Sequence, residues 1–284
     1  MGGPIVKDKT FFFLDYEGQR ETGAQGGLSC VPDPGEIALL GGATNSVAAA
    51  LLARHPWPNP NVAGAYSDAN GCTNPSTGVT TNNLATSTRF NNRVDSLIAK
   101  IDHNFNVSNL VTGRYYFGDS NQSFPFAQLA AGILPGFNTV TPTRVQLVSL
   151  SFVKIVNSSQ VNEARLGWNR FAEGFFPEDH AFNPSSIGLD TGVSNPFDYG
   201  LPKISVGSFA VIGATPSVPR SRVDANWHFI DNYSWKSGRH DVKFGYEFRR
   251  TTIQLIQDNN FRGKFTFSDL STFLAGTPSG GKIA

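Results

Sequence analysis

The residues that could do chemistry are few and widely scattered. Lys100, Asp102 and His103 are the densest group of ionisable side chains near one another. In an extended chain Lys100 and Asp102 share a face while His103 points away, so the group reads as a polar cluster near a turn. His55, His180, His228 and His240 stand apart, with no HxH or HxxxH pairing that could clasp a metal. There is no Gly-x-Ser-x-Gly elbow for a nucleophile. The Gly-Gly pairs at Gly2, Gly26, Gly41 and Gly280 lack the strand–loop–helix context and the Lys-Ser/Thr of a phosphate loop. Neither catalysis nor a cofactor is expected from this pattern. Cys30 and Cys72 lie in one Gly/Asn/Pro/Ser-rich stretch without metal-ligand spacing. Both readings stay open: a disulfide stapling one long loop, or two separate thiols.

A different pattern takes in nine polar residues, Lys100 and Asp102 among them. Lys100, Asp102, Arg114, Glu163, Arg165, Asn169, Lys243, Glu247 and Arg249 each occupy alternate positions in segments whose other positions are apolar. Charges of both signs on one face of a strand suit a wet interior and would be costly facing lipid. These nine are therefore candidate lumen-lining residues.

The elements that position them are strands. Lys9–Gly18 alternates Phe12, Leu14 and Tyr16 against Phe11, Phe13 and Asp15, and the first set suits lipid. Val94–Asn104, Leu110–Asp119, a segment through Val148, Leu150 and Phe152, and Val161–Phe171 follow with the same period of two. A sixth segment shares Trp227, Phe229, Tyr233 and Trp235 on one face, as an interfacial aromatic girdle would. Asp241–Arg250 alternates most cleanly, and Gly263–Phe267 starts an eighth strand. Short Asn/Ser/Gly turns and long polar connections take turns along the chain, the long ones at about 21–92, 120–142 and 172–222. Within the first, Glu36–Arg54 has the composition of a short helix, and Asp269–Ala275 suggests a helical turn.

Composition agrees with an all-β reading. Charged residues are 16%, aromatics 12%, with 29 Gly and 17 Pro, so turns should be many and helices few. No run of about 18 apolar residues exists, which leaves a closed barrel as the only way to span a membrane. The net charge of +1, without a basic stripe, gives no reason to expect nucleic acid as a partner. The scattered Lys and Arg read as solvation, and the loop aromatics Trp57, Phe124, Phe126, Phe197 and Tyr199 are candidate contacts for an outer ligand.

Four segments carry a family resemblance: GGPIVKDKTFFFLDYEGQRE, KIDHNFNVSNLVTGRYYF, VNEARLGWNRF and DNYSWKSGRHDVKFGYEFRR. The first resembles the plug-to-barrel junction of Oar-like TonB-dependent receptors, and the others resemble recurring barrel segments of that family. The resemblance implies a partial antiparallel transmembrane β-barrel in the cell outer membrane, with about eight strands and long extracellular loops. It implies residues 1–5 as a plug remnant and 6–284 as the first part of a barrel normally of about 22 strands. It further implies outer-membrane lipid as surroundings, a TonB complex engaged through an N-terminal part outside this sequence, and import of an extracellular ligand such as carbohydrate or peptide. The opening residues Met1–Lys7 lack the n-region and h-region of a secretory leader, so a truncated N-terminus is expected, as is an incomplete sheet with poorly ordered outer loops. A non-transporting surface or adhesion barrel and a soluble β-sandwich binding module are the alternatives.

Overall fold

The computed structural model describes residues 1–125, 132–257 and 259–283. Among them, eight strands form one antiparallel sheet in which every neighbour in space but one pair is also a neighbour in sequence. They are β1 (Gly2–Val6), β2 (Thr10–Ser29), β3 (Leu84–Asn106), β4 (Asn109–Phe124), β5 (Thr139–Asn157), β6 (Gln160–Pro177), β8 (Arg220–Ser237) and β9 (His240–Gln257). A second, three-stranded sheet orders β11 (Gly280–Lys282), β10 (Lys264–Phe267) and β7 (Lys203–Val206). The large sheet is open: β1 and β9 are its edges. Pro4 sits in the edge strand, where its missing N–H interrupts no interior ladder.

Register makes the alternation physical. Phe12, Ile101, Gly113, Leu150, Leu166, Phe229 and Phe248 are successive cross-strand partners from β2 to β9. One row nearer the long loops runs Leu14, Ala99, Tyr115, Val148, Trp168 and Trp227. Partners project to the same side of a sheet, so one face is an almost unbroken apolar band. Aromatics mark its borders, with Tyr16, Trp168 and Trp227 towards the long loops and Tyr233 and Trp235 towards the short turns. Tyr233 stacks on Phe244 with ring centroids 5.1 Å apart. The upper border steps along the rows, from Arg20 in β2 to Arg170 in β6 and Arg250 in β9, as inclined strands require.

Among the described residues no second sheet covers this band. Phe244 and Tyr246 are each 61% exposed and Trp227 50%, which rules out a soluble sandwich, whose two inner faces bury each other.

Three expectations need correction. The Gly263–Phe267 strand does not join the large sheet: β10 pairs in parallel with β7, Phe265 opposite Ile204. The eighth strand of the large sheet is instead Gly2–Val6, with Gly2 opposite Phe13 and the Met1 amino group donating to the Leu14 carbonyl at 2.6 Å. The anticipated Glu36–Arg54 helix is two short helices, α1 (Pro34–Leu39) and α2 (Ser46–Leu52). Gly41 and Gly42 divide them, at φ of +83° and +73°, a left-handed pair that no helix can pass through. α3 (Leu270–Leu274) falls where a helical turn was read, capped by Asp269.

The strands also run beyond their alternating centres. β2 has 20 residues and β3 has 23, whereas crossing a hydrocarbon layer takes about 9–11. Their pairing continues without a break to Ser29 opposite Leu84, which shortens the first long loop to 30–83. Outside hydrocarbon the outward face no longer has to be apolar, so the extension is polar and Gly-rich.

The outer loops are not loose. Residues from the three long connections and from the segment after β9 share one hydrophobic core, including Val31, Leu51, Trp57, Leu134, Ile204, Phe209, Ile212, Phe273 and Leu274. Trp57 donates its indole N–H to the Ala210 carbonyl at 2.7 Å and meets Phe273 edge-on, with centroids 5.4 Å apart. Leu84 belongs to the same cluster. Its parity, like that of the buried Thr88, Thr139 and Thr141, places it on the sheet face opposite the apolar band. The loops therefore form a cap that packs onto the polar face at its long-loop end.

The two faces make separable demands. Leu166→Arg, at the centre of the apolar band, should lower stability in lipid by about 2–4 kcal/mol. Asn169→Arg, three residues on and on the opposite face, should change it by no more than about 0.5 kcal/mol. Denaturant titration of the complete barrel folded in lipid vesicles measures both, and equal losses would sink the assignment of faces.

Candidate functional site

The polar face gathers one set of ionisable side chains. Phe13, Lys100, Arg114, Ser149, Gly167, His228 and Arg249 form one row across β2–β9. The adjacent row is Phe11, Asp102, Thr112, Ser151, Arg165, Ile230 and Glu247. All nine candidate residues lie on this one face, because Glu163 is level with Asn232, Asn169 with Asn226, and Lys243 with Ser234.

Contacts among them are local. Lys100 Nζ lies 2.8 Å from Asp102, whose carboxylate also accepts from the Thr112 hydroxyl at 2.7 Å. Glu163 and Arg165 pair within β6 at 2.6 Å. Glu247 contacts His228 Nε2 at 2.7 Å, with Arg249 more distant at 3.6 Å. Arg114, Asn169 and Lys243 are not drawn into these pairs. Gly167 carries no side chain between Ser149 and His228. Together with Thr112, Arg114, Ser151 and Arg165 these residues line a shallow hollow midway along the face. Such a surface offers hydroxyls, guanidiniums and carboxylates at close range, suited to hydrogen-bonding a hydrated polar solute. His228 and the hydroxyl residues were missed as members of the site. The alternation of His228 with Trp227 and Phe229, and of Ser149 and Ser151 with Val148, Leu150 and Phe152, is the signal that could have found them.

The cap presents the other half. Cys30 and Cys72 are bonded, with S–S 2.09 Å and Cα atoms 5.7 Å apart across 42 residues of sequence. Val31, next to the bridge, exchanges two hydrogen bonds with the Asn83 side chain, at 2.9 and 2.7 Å. These contacts close the base of the first loop where β2 ends and β3 begins. Trp57 is corrected from a surface ligand contact to a core residue, 7% exposed. Phe197 packs edge-on against Phe176 at 5.5 Å. Phe124 ends β4, Tyr199 is half-buried, and Phe126 lies outside the described residues.

Beneath the cap surface is a buried charge cluster. Arg262 is 3% exposed and donates to the carbonyls of Val218, Thr215 and Leu201 at 2.7–3.3 Å. Asp179 accepts from the Leu201 N–H at 2.7 Å, and Asp198 is also buried. Burial pushes the Asp179 carboxyl above the usual range, while the Leu201 N–H and the Arg262 charge pull it back only in part. Gly200, at φ +116°, allows the approach: a Cβ there would stand 2.8 Å from the guanidinium and 3.1 Å from the Asp179 carboxylate.

A third group was read only as solvation. Arg20, Arg93 and Arg144 are bridged by Asp95 and Asp119 just above the apolar band and on its side of the sheet. Arg20 shares the parity of Phe12, Leu14 and Tyr16, which is the sequence signal for its placement.

A family model described as an outer membrane beta barrel domain matches residues 1–284. No curated protein and no solved structure matches the chain.

Two expectations follow for the cap. Replacing both Cys30 and Cys72 by Ser should lower cap stability by about 2–4 kcal/mol, read as an earlier thermal transition under oxidising conditions. For Asp179, a folded pKa above the unfolded one means stability is fully present below the unfolded pKa and lost as pH rises through the folded one. The stability difference between the native chain and Asp179→Asn should therefore move in favour of the native chain as pH falls from neutral. A difference independent of pH would sink that assignment.

Proposed function

The chain belongs to the outer membrane beta barrel domain family, and on that premise we propose that it forms the early barrel strands of a TonB-dependent, Oar-like receptor that binds and imports a nutrient. As a member of that family it lies in the outer membrane, with the apolar band of its sheet against lipid. The four family-like segments fall on β1–β2, β3–β4, β6 and β8–β9, the strands that carry the two-faced pattern.

One observation carries the reading: a polar face with charges of both signs, roofed at its outer end by a cross-linked cap. Long outer loops that share a core can present a fixed binding surface, as loops on rigid scaffolds commonly do. A solute released from the cap would meet Arg114, Ser149, Arg165 and His228 on the interior face. These groups exchange hydrogen bonds with hydroxyls and amides, which favours carbohydrate or peptide material. They carry out no bond-making step in this reading, and no cofactor is invoked. Energy coupling runs through TonB, by an N-terminal part outside this sequence. The neighbouring strands of the complete barrel cover the edges of β1 and β9, because unpaired backbone groups cannot face hydrocarbon.

A second reading, a surface or adhesion barrel that transports nothing, is favoured by the cap having its own core and disulfide.

Uptake separates the two. Cells expressing the complete protein are given labelled oligosaccharides and oligopeptides, with TonB present or depleted. Import predicts TonB-dependent accumulation that falls several-fold in Arg114→Ala/Arg165→Ala. Surface binding with no TonB-dependent accumulation would replace import with adhesion.

A further inference from the structure

The outward face holds a charged network that the transport reading does not use. Arg20 on β2 meets Asp95 on β3 at 2.5 Å, and Arg93 bridges Asp95 and Asp119 at 2.6 Å each. Arg144 on β5 completes the chain, donating from both Nε and Nη2 to Asp119 at 2.9 and 2.8 Å. Tyr16 adds its hydroxyl to Asp95 at 2.7 Å. Register puts Arg170 on the same face, level with Gln146 and Tyr16, two residues along β5 from Arg144.

Three features give this belt a direction. It follows directly on the apolar band, whose row of Tyr16, Leu97 and Phe117 lies just below Asp95 and Asp119. It is at the long-loop end, the outer side of such barrels. And the two signs of charge are unequally available: the arginine side chains are 47–55% exposed, the two carboxylates 18–21%. Two aspartates hold three guanidiniums in position, Arg20 also donating to the Gln19 and Val94 carbonyls, and each of the three arginine side chains stays half-exposed, with Arg170 as a fourth cation on the same face. A mutual ion-pair ladder would satisfy both signs equally and would need no surplus of arginine.

We propose that this belt binds a phosphate-bearing lipid headgroup of the outer leaflet, with its acyl chains lying on the apolar band beneath. Guanidiniums bind phosphate oxygens in bidentate fashion, and shared aspartates lock their rotamers beforehand, which lowers the cost of ordering them. From β2 to β6 the cationic positions span four strand spacings, roughly 19 Å, enough for a headgroup carrying more than one phosphate. Greasy surface immediately below fixed cations is the complement of an anionic lipid, and a soluble anion would leave that surface without use.

The test uses the protein in phosphatidylcholine nanodiscs. One set contains a bis-phosphorylated acylated glucosamine disaccharide, the other the same lipid after phosphatase treatment. Lipid retained through detergent washing is counted by native mass spectrometry. The unmodified protein should retain the phosphorylated lipid at least about tenfold better than the dephosphorylated one. Arg93→Gln/Arg144→Gln should lose most of that preference. Arg93→Lys/Arg144→Lys should recover part of it, and Arg165→Gln on the opposite face should keep it. Equal retention of the two lipids by the unmodified protein would overturn the proposal, as would full retention by the Gln pair. Should the Gln pair fail to fold, the lipid comparison on the unmodified protein decides alone.

Discussion

In hydrocarbon an unpaired peptide N–H or C=O costs several kcal/mol, and the whole chain is arranged around that penalty. Six interior strands of the large sheet, β2 to β6 and β8, have ladder partners on both sides. Once the backbone is committed to continuous pairing, side chains have only two directions to point. The apolar band and the charged rows are the two consequences of one ladder. A slip of a single residue between any two strands would send Arg114 or Arg165 into lipid, so register is held by side-chain partition as strongly as by hydrogen bonds.

Sequence legibility follows from where that partition applies. Between the borders of the membrane, alternation is obligatory, and the centres of β2–β6, β8 and β9 could be read from it. The same parity located the nine polar candidates on one face. Beyond the borders the outward face meets water and the cap covers the other, so the apolar-polar code lapses. The extensions of β2 and β3 to Ser29 and Leu84 were therefore hidden in polar sequence. β1 has too few residues to show a period, and β10 shows one but pairs elsewhere.

The cap was opaque for another reason. Its core draws Val31, Leu51, Trp57, Leu134, Ile204 and Phe273 from three connections and the segment after β9, none of which has enough apolar residues to announce a domain. Its helices are five to seven residues long, too short for a periodic signature. The arginine belt was legible in principle, since Arg20 keeps step with Phe12, Leu14 and Tyr16. A charge in phase with an apolar face is informative about depth in the bilayer, even where it says nothing about secondary structure.

The way the first loop leaves and rejoins the sheet has a consequence for how such proteins diversify. Ser29 and Leu84 are direct partners, so the 54 residues between them depart and return at adjacent points on one ladder. The Cys30–Cys72 bridge and the Asn83–Val31 pair close the insertion at its own base. Topologically, that makes the segment a cassette: a recombination event swapping it for another, or for a tight turn, would leave the pairing of β2 with β3 intact. The membrane-embedded strands and the exposed surface can then be inherited on different schedules, the first constrained by lipid and the second by whatever the cell encounters.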